Sequence, residues 1–242
     1  MLNITSDRPI LEEVAHRPWP IPNQRWVWYQ EWNDVAFLHW KVPEAWLKPQ
    51  VPKGLTIDTF EGACWISLVA FTMNNVRPYS LPAFTPLSNF FELNIRTYVT
   101  NGGKAGVYFL SIEASKQIAC LMAQSFSGLP YQYAAMERTS ERFQSHNART
   151  GNRFDIAFQT GTPTQAKPLD LWLTERYCLY QDVSDVLYRY EVQHKQWDVY
   201  QMALTQSAIQ YRGYENIINR PPDRLHYSPG VPVLAFAKEK TQ

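Results

Sequence analysis

The nine residues FELNIRTYV, 91–99, carry four groups that could act on a small molecule. Read as a strand, they put Glu92, Asn94, Arg96 and Tyr98 on one side. Phe91, Leu93, Ile95, Thr97 and Val99 fall on the other, because successive side chains alternate across a pleated backbone. An inward Arg96 would anchor a carboxylate, since its planar fork takes one through two parallel hydrogen bonds. Glu92 could give or take a proton as acid or base. Within one strand Glu92 and Arg96 stand roughly 13 Å apart at ~3.3 Å per residue, too far for a direct pair. A polar strand face ordinarily meets solvent, yet Tyr98 suits a purely wet row poorly. The row therefore has two readings, a wet face or the lining of a cavity.

Other chemistry is sparse. The chain holds no G-x-G-x-x-G, phosphate-binding loop, G-x-S-x-G or H-E-x-x-H pattern, so no cofactor is expected. His16, His39, His146, His194 and His226 lack helical i, i+4 ligand spacing and read as structural, with no metal expected. Cys64, Cys120 and Cys178 are odd in number and far apart. They suit a reducing cytoplasm better than a disulfide framework.

Charge narrows the partners. With 23 basic and 22 acidic residues among 242, the net charge is +1 and draws neither nucleic acid nor an anionic membrane from a distance. The first residues, MLNITSDRPILEE, lack the apolar segment of a secretion signal. The longest apolar stretch, near WISLVAF, is far short of a membrane span. Seven of the nine tryptophans lie in the first 65 residues. They predict an aromatic core under a sheet, or an aromatic-lined pocket for a flat or apolar ligand.

The elements that must position the row are mostly strands. RWVWYQ and DVAFLHWKV read as two short ones, and LTIDTF with ACWISLVAFTMNNV as a hairpin turning at Glu61-Gly62. FELNIRTYV and GVYFLSIE flank TNGGKA, whose Asn-Gly-Gly supplies the positive φ that a tight hairpin needs. VLYRYEVQH and WDVYQMALT read as a further hairpin, and HYSPGVPVLAFA as a turn and last strand. SKQIACLMAQSFSG predicts a helix with Ile118, Leu121, Met122 and Phe126 as its apolar stripe, Ser115 capping it and Gly128 stopping it. PLDLWLTERY predicts a shorter one. Eleven or twelve strands in hairpin order argue for a mainly β (α+β) fold. This would be a single antiparallel β-barrel domain over residues 1–242, with two or three helices packed on it.

Several blocks resemble the YqjF-like family of uncharacterised bacterial proteins. These are HRPWPIP, DVAFLHW, VPKGLTIDTFEG, ELNIRTYV, GVYFLSIEASK, LTERYCLY and LHYSPGVPVLAF. The resemblance implies a fold similar to acetoacetate decarboxylase, a cone-shaped antiparallel barrel with a central cavity. Those decarboxylases use a Schiff-base lysine within a Gly-Phe-Pro-Lys-Lys-type sequence, helped by a glutamate on the preceding strand. Carried over by position, Glu92 falls where the glutamate stands and Lys116 near the lysine. Here, however, the sequence is Glu-Ala-Ser-Lys, without the proline or the paired lysine. The apolar stripe also points more than a quarter-turn away from Lys116, which leaves that lysine on the wetter helix face.

With a hollow barrel implied, the inward reading of the row is favoured. Glu92, Asn94 and Arg96 then line the cavity, with Tyr98 near its mouth and each charge hydrogen-bonded to adjacent strands. The functional expectation is a barrel that binds a small organic acid or related metabolite, with Glu92 as acid/base and Arg96 as anchor. The alternative is a non-catalytic, protein-interacting or structural barrel filled by its own side chains. A third reading is Schiff-base decarboxylation at Lys116.

Overall fold

The computed structural model describes residues 8–121 and 128–241. Seven strands close into a barrel. The strand Trp26–Val42 pairs antiparallel with Cys64–Pro78 on one side and Arg224–Phe236 on the other. Cys64–Pro78 pairs with Phe90–Asn101, which forms a hairpin with Lys104–Ala114. Cys178–Val183 runs parallel to Lys104–Ala114 and turns back into Val186–His194. Val192↔Ala235 and His194↔Val233 then join that last strand to Arg224–Phe236 and complete the circuit. Closure leaves these strands with fewer open edges to protect.

Four further strands continue from Arg224–Phe236 through the pair Tyr200↔Tyr227. They are Tyr200–Gln210, Arg153–Pro163, Arg142–His146 and Ala135–Arg138. This layer lies on the outside of the barrel, where Phe143, Phe154 and Ile156 share one core cluster with Leu38, Leu68 and Ile95. A buried polar contact also crosses it: Glu113 accepts hydrogen bonds from Tyr211 Oη and Asn147 Nδ2, each at 2.7 Å. The barrel strands therefore bury both faces. In DVAFLHW, Val35 and Phe37 point inward while Ala36, Leu38 and Trp40 point to the outer layer. That double burial explains why the stretch reads as a nearly unbroken apolar run.

Several local expectations change. RWVWYQ and DVAFLHWKV are one 17-residue strand, interrupted by a register shift around Asp34, which takes φ 53°. Glu61 and Gly62 do turn with positive φ. Thr56–Ile57, however, pairs with Thr100 and Val99 of Phe90–Asn101, not with Cys64–Pro78. VLYRYEVQH does not pair with WDVYQMALT. Trp197 and Val199 sink into the interior cluster with Phe37 and Val233, which separates the two strands. Val186–His194 instead hairpins with Cys178–Val183 through Ser184 and Asp185, both at positive φ.

HYSPGVPVLAFA is one continuous strand from Arg224 to Phe236 rather than a turn and a strand. Gly230 sits within it at φ 127°, against the backbone of Trp32 and Asn33, where no Cβ fits. The Ser184–Asp185 turn is a cheaper place to improve the fold. Changing the pair to Asn-Gly, the residues such a two-residue turn favours, should raise stability by roughly 0.5–1 kcal/mol in chemical denaturation.

Residues 117–121 are helical. Ala119 and Cys120 are the buried positions there, whereas Ile118 and Leu121 are exposed, contrary to the expected stripe. Ser115 Oγ accepts the backbone N–H of Phe91 at 2.8 Å, so the residue serves the neighbouring strand. Met122 and Phe126 lie outside the described residues, and Gly128 has the positive φ expected of a helix stop. The second expected helix spans Pro168–Thr174, opened by Pro168 and by Asp170, whose side chain accepts the Lys167 N–H at 2.9 Å. No described helix is long and apolar enough to cross a membrane.

Candidate functional site

Glu92, Asn94 and Tyr98 face the barrel interior, with relative exposures of 2%, 3% and 0%. Strand pairing places them there. Glu92 stands opposite Phe71, and Asn94 opposite Val69, on the face that carries Phe37 and Val233. Leu93 and Ile95 point the other way, into the outer-layer cluster. Arg96 is half-buried, opposite Ser67, with its guanidinium carbon 5.7 Å from the Phe37 ring centre. A bulge between Ile95 and Arg96 shifts the pairing with Lys104–Ala114 at this point. Tyr98 is fully enclosed rather than at a mouth.

Each end of the row is held by a different partner set. At one end Glu92 accepts Tyr131 Oη on Oε2 at 2.7 Å and Asn94 Nδ2 on Oε1 at 3.0 Å. Burial outweighs these bonds and the charge of Arg96, so the Glu92 carboxyl is pushed up to about 7. At the other end Tyr98 Oη donates to the Leu173 carbonyl at 3.0 Å and meets Ser67 Oγ at 2.5 Å. The Arg176 guanidinium stacks on the Tyr98 and Trp172 rings, 4.8 and 4.3 Å from their centres.

Arg96 is under-compensated. Burial lowers its pKa and neighbouring Arg176 acts in the same direction, only partly offset by Tyr98 and Glu92. A long hydrogen bond runs from Nη2 to the Leu173 carbonyl at 3.4 Å. Among the described residues neither Arg96 Nε nor Asn94 Oδ1, both buried, has a hydrogen-bond partner. Two adjacent row positions thus hold an unused charged donor and an unused amide oxygen. Buried polar atoms are rarely left so.

Lys116 does not join the row. Its ammonium donates to the Pro86 carbonyl at 2.7 Å in an exposed setting. Lys116→Ala should therefore change stability by less than about 0.5 kcal/mol, measured by urea titration. Among the described residues no group of three or more His, Cys, Asp or Glu is placed to hold a metal ion. Surface concavities among the described residues include one beside His16 and Lys195 and one beside Met136 and Arg142. Neither borders Glu92, Asn94, Arg96 or Tyr98.

Tyr131, Ser67 and Arg176 border the row, and His39, His226 and Asp170 connect to it through Ser67, none of them expected there from the sequence. One signal was available. In DVAFLHW, His39 continues the alternation of Val35 and Phe37 and so places an imidazole on an interior face. The others reach the site from distant segments and leave no local mark.

Comparison with known proteins agrees with this architecture. An enduracididine biosynthesis enzyme, MppR, complexed with pyruvate superposes with a TM-score of 0.62 at 11% identity, covering 93% of this chain and 94% of that one. An acetoacetate decarboxylase-like enzyme from Sphingomonas wittichii RW1 gives 0.64 at 12% identity, over 90% and 94%. The acetoacetate decarboxylase of Legionella pneumophila gives 0.64 at 11%, over 96% of each chain. At such identities the likeness is one of fold, and the fold is acetoacetate decarboxylase-like. In sequence, the uncharacterized protein YqjF of Bacillus subtilis (strain 168) is 39% identical over 185 residues, which is 73% of this chain and 76% of the relative. Residues 29–232 match DUF2071, a family of uncharacterized conserved proteins, and the chain belongs to that family.

Proposed function

We propose that the barrel interior binds a small organic acid, with Arg96 anchoring its carboxylate and Asn94 and Tyr98 hydrogen-bonding it. Glu92 is positioned to give or take a proton. The observation that carries this reading is the pair of unpartnered buried atoms, Arg96 Nε and Asn94 Oδ1, on one interior face. A carboxylate would give Arg96 the acceptor and the negative charge it lacks. A carboxyl with a pKa near 7 suits proton transfer at neutral pH. The pyruvate complex of the structural neighbour MppR supports a small 2-oxo acid as the first candidate. The chain acts in this reading as one domain over residues 1–242. Its three cysteines are all buried free thiols, which fits work in a reducing cytoplasm.

A thermal-shift comparison of acids with their amides tests the reading. Pyruvate should raise the melting temperature and pyruvamide should not, since only the former offers a carboxylate. At a concentration 100-fold above Kd the stabilisation is about 2.7 kcal/mol. Equal shifts from acid and amide across a panel of small acids would remove Arg96 as the anchor.

Exposed Leu81, Phe84, Ile118 and Leu121 favour a second reading, a protein-interaction module. That reading expects no acid in the panel to bind. Schiff-base chemistry at Lys116 has less support, given its bond to a backbone carbonyl. Borohydride trapping with β-keto acids should leave Lys116 unmodified.

A further inference from the structure

From Tyr98 of the row outward, five buried side chains from five separate segments make one continuous chain of hydrogen bonds. Asp170 Oδ1 meets His226 Nε2 at 2.9 Å, and His226 Nδ1 meets His39 Nε2 at 3.1 Å. His39 Nδ1 meets Ser67 Oγ at 2.5 Å, and Ser67 Oγ meets Tyr98 Oη at 2.5 Å. His39, Ser67 and Tyr98 are fully enclosed, and His226 and Asp170 nearly so. Five ordinary packing positions would be cheaper to fill with apolar groups, because each buried polar atom must be matched.

The chain has a direction. Asp170 holds the Lys167 backbone N–H on Oδ2, so its carboxylate accepts at both ends. His226 must then carry its proton on Nε2 and accept on Nδ1. His39 must donate from Nε2 and accept on Nδ1, and Ser67 must donate to it. Tyr98 is left to donate to Ser67 at 2.5 Å, with the Leu173 carbonyl at 3.0 Å as the longer, competing acceptor of the same proton. Burial lowers the pKa of both histidines, most strongly for His39, so each holds a single ring proton.

We propose that Ser67, His39 and His226 form a proton path from Tyr98, on the interior row beside Arg96, to Asp170 below the surface. In one passage Tyr98 gives its proton to Ser67, Ser67 to His39 Nδ1, His39 from Nε2 to His226 Nδ1, and His226 from Nε2 to Asp170. The net change is a phenolate at Tyr98 and a protonated carboxyl at Asp170, with both histidines neutral throughout and moved to the Nδ1–H form. Tyr98 is thereby equipped to take a proton from a bound molecule at the end of the row opposite Glu92. That role rests on the ligand reading above, whereas the path itself does not.

Long-range proton–nitrogen NMR on histidine-labelled protein, without ligand, tests the path. Both His39 and His226 should be Nε2–H tautomers. In Asp170→Asn the side-chain oxygen stays on the Lys167 N–H and the new amide faces His226 Nε2, so both histidines should switch to Nδ1–H. The Tyr98 hydroxyl proton should then exchange with solvent at least tenfold more slowly than in the wild type. An Nδ1–H tautomer at either histidine in the wild type overturns the proposal without any variant. So does an unchanged Tyr98 exchange rate in Asp170→Asn, which a merely structural cluster would give. Failure of acids to bind would sink the ligand reading and leave these outcomes as they stand.

Discussion

Replacing Arg96 with methionine should weaken binding of a small carboxylate by roughly 100-fold or more, about 3 kcal/mol, because a buried charged partner is removed. The same change should leave the unliganded protein as stable as the wild type, or more so. Arg96 keeps a buried Nε without a partner and a pKa that burial lowers more than Tyr98 and Glu92 restore, so the fold carries an under-neutralised cation there. A methionine of similar length beside Phe37 removes that cost. Opposite signs for ligand affinity and for unliganded stability are the signature of a residue kept for binding. Isothermal titration with pyruvate and guanidinium unfolding measure the two. A loss of unliganded stability above about 2 kcal/mol with unchanged affinity would make Arg96 a structural residue.

Glu92→Gln should change how stability depends on pH. The folded protein raises this carboxyl from 4.5 to about 7, chiefly by burial, so the native state holds its proton more tightly than the unfolded chain does. Its contribution is complete below pH 4.5 and is lost as pH rises through 7. The loss is on the order of 3 kcal/mol, at 1.36 kcal/mol per pKa unit. Glutamine cannot ionise, and its amide can meet the free Asn94 Oδ1 while its oxygen keeps Tyr131. The variant should therefore gain on the wild type between pH 5 and pH 8 by about that amount. Urea unfolding at a series of pH values checks this, and parallel profiles for the two proteins would contradict it.

How far these residues were legible depends on the range of the interactions that place them. The row was visible because alternation is local: ELNIRTYV shows its two faces without knowledge of any other strand. Its inward direction was not local. It follows from an outer layer, strands 135–210, that buries Leu93 and Ile95 on the opposite side. The Asn-Gly-Gly turn was readable since positive φ has few residue solutions, and Gly102 and Gly103 both take it.

The pairing of Val186–His194 was hidden, because Ser184 and Asp185 are unusual occupants of a positive-φ turn and Trp197 looked like part of a strand. Helix amphipathicity misled at Ile118 and Leu121. The large apolar residues recur at helical spacing, but the small residues Ala119 and Cys120 are the buried ones, while Ile118 and Leu121 stay exposed. The chain from Asp170 to Tyr98 joins residues up to 187 positions apart, and no local pattern announces it.

The central claim is that a carboxylate belongs on Arg96 inside the barrel. A crystal structure of the protein soaked with pyruvate tests it most directly. The expected result places the carboxylate on the Arg96 guanidinium, with Asn94 Oδ1 no longer unpartnered. Pyruvate found only at the surface concavities beside His16 or Arg142, with Arg96 unchanged, would contradict the account.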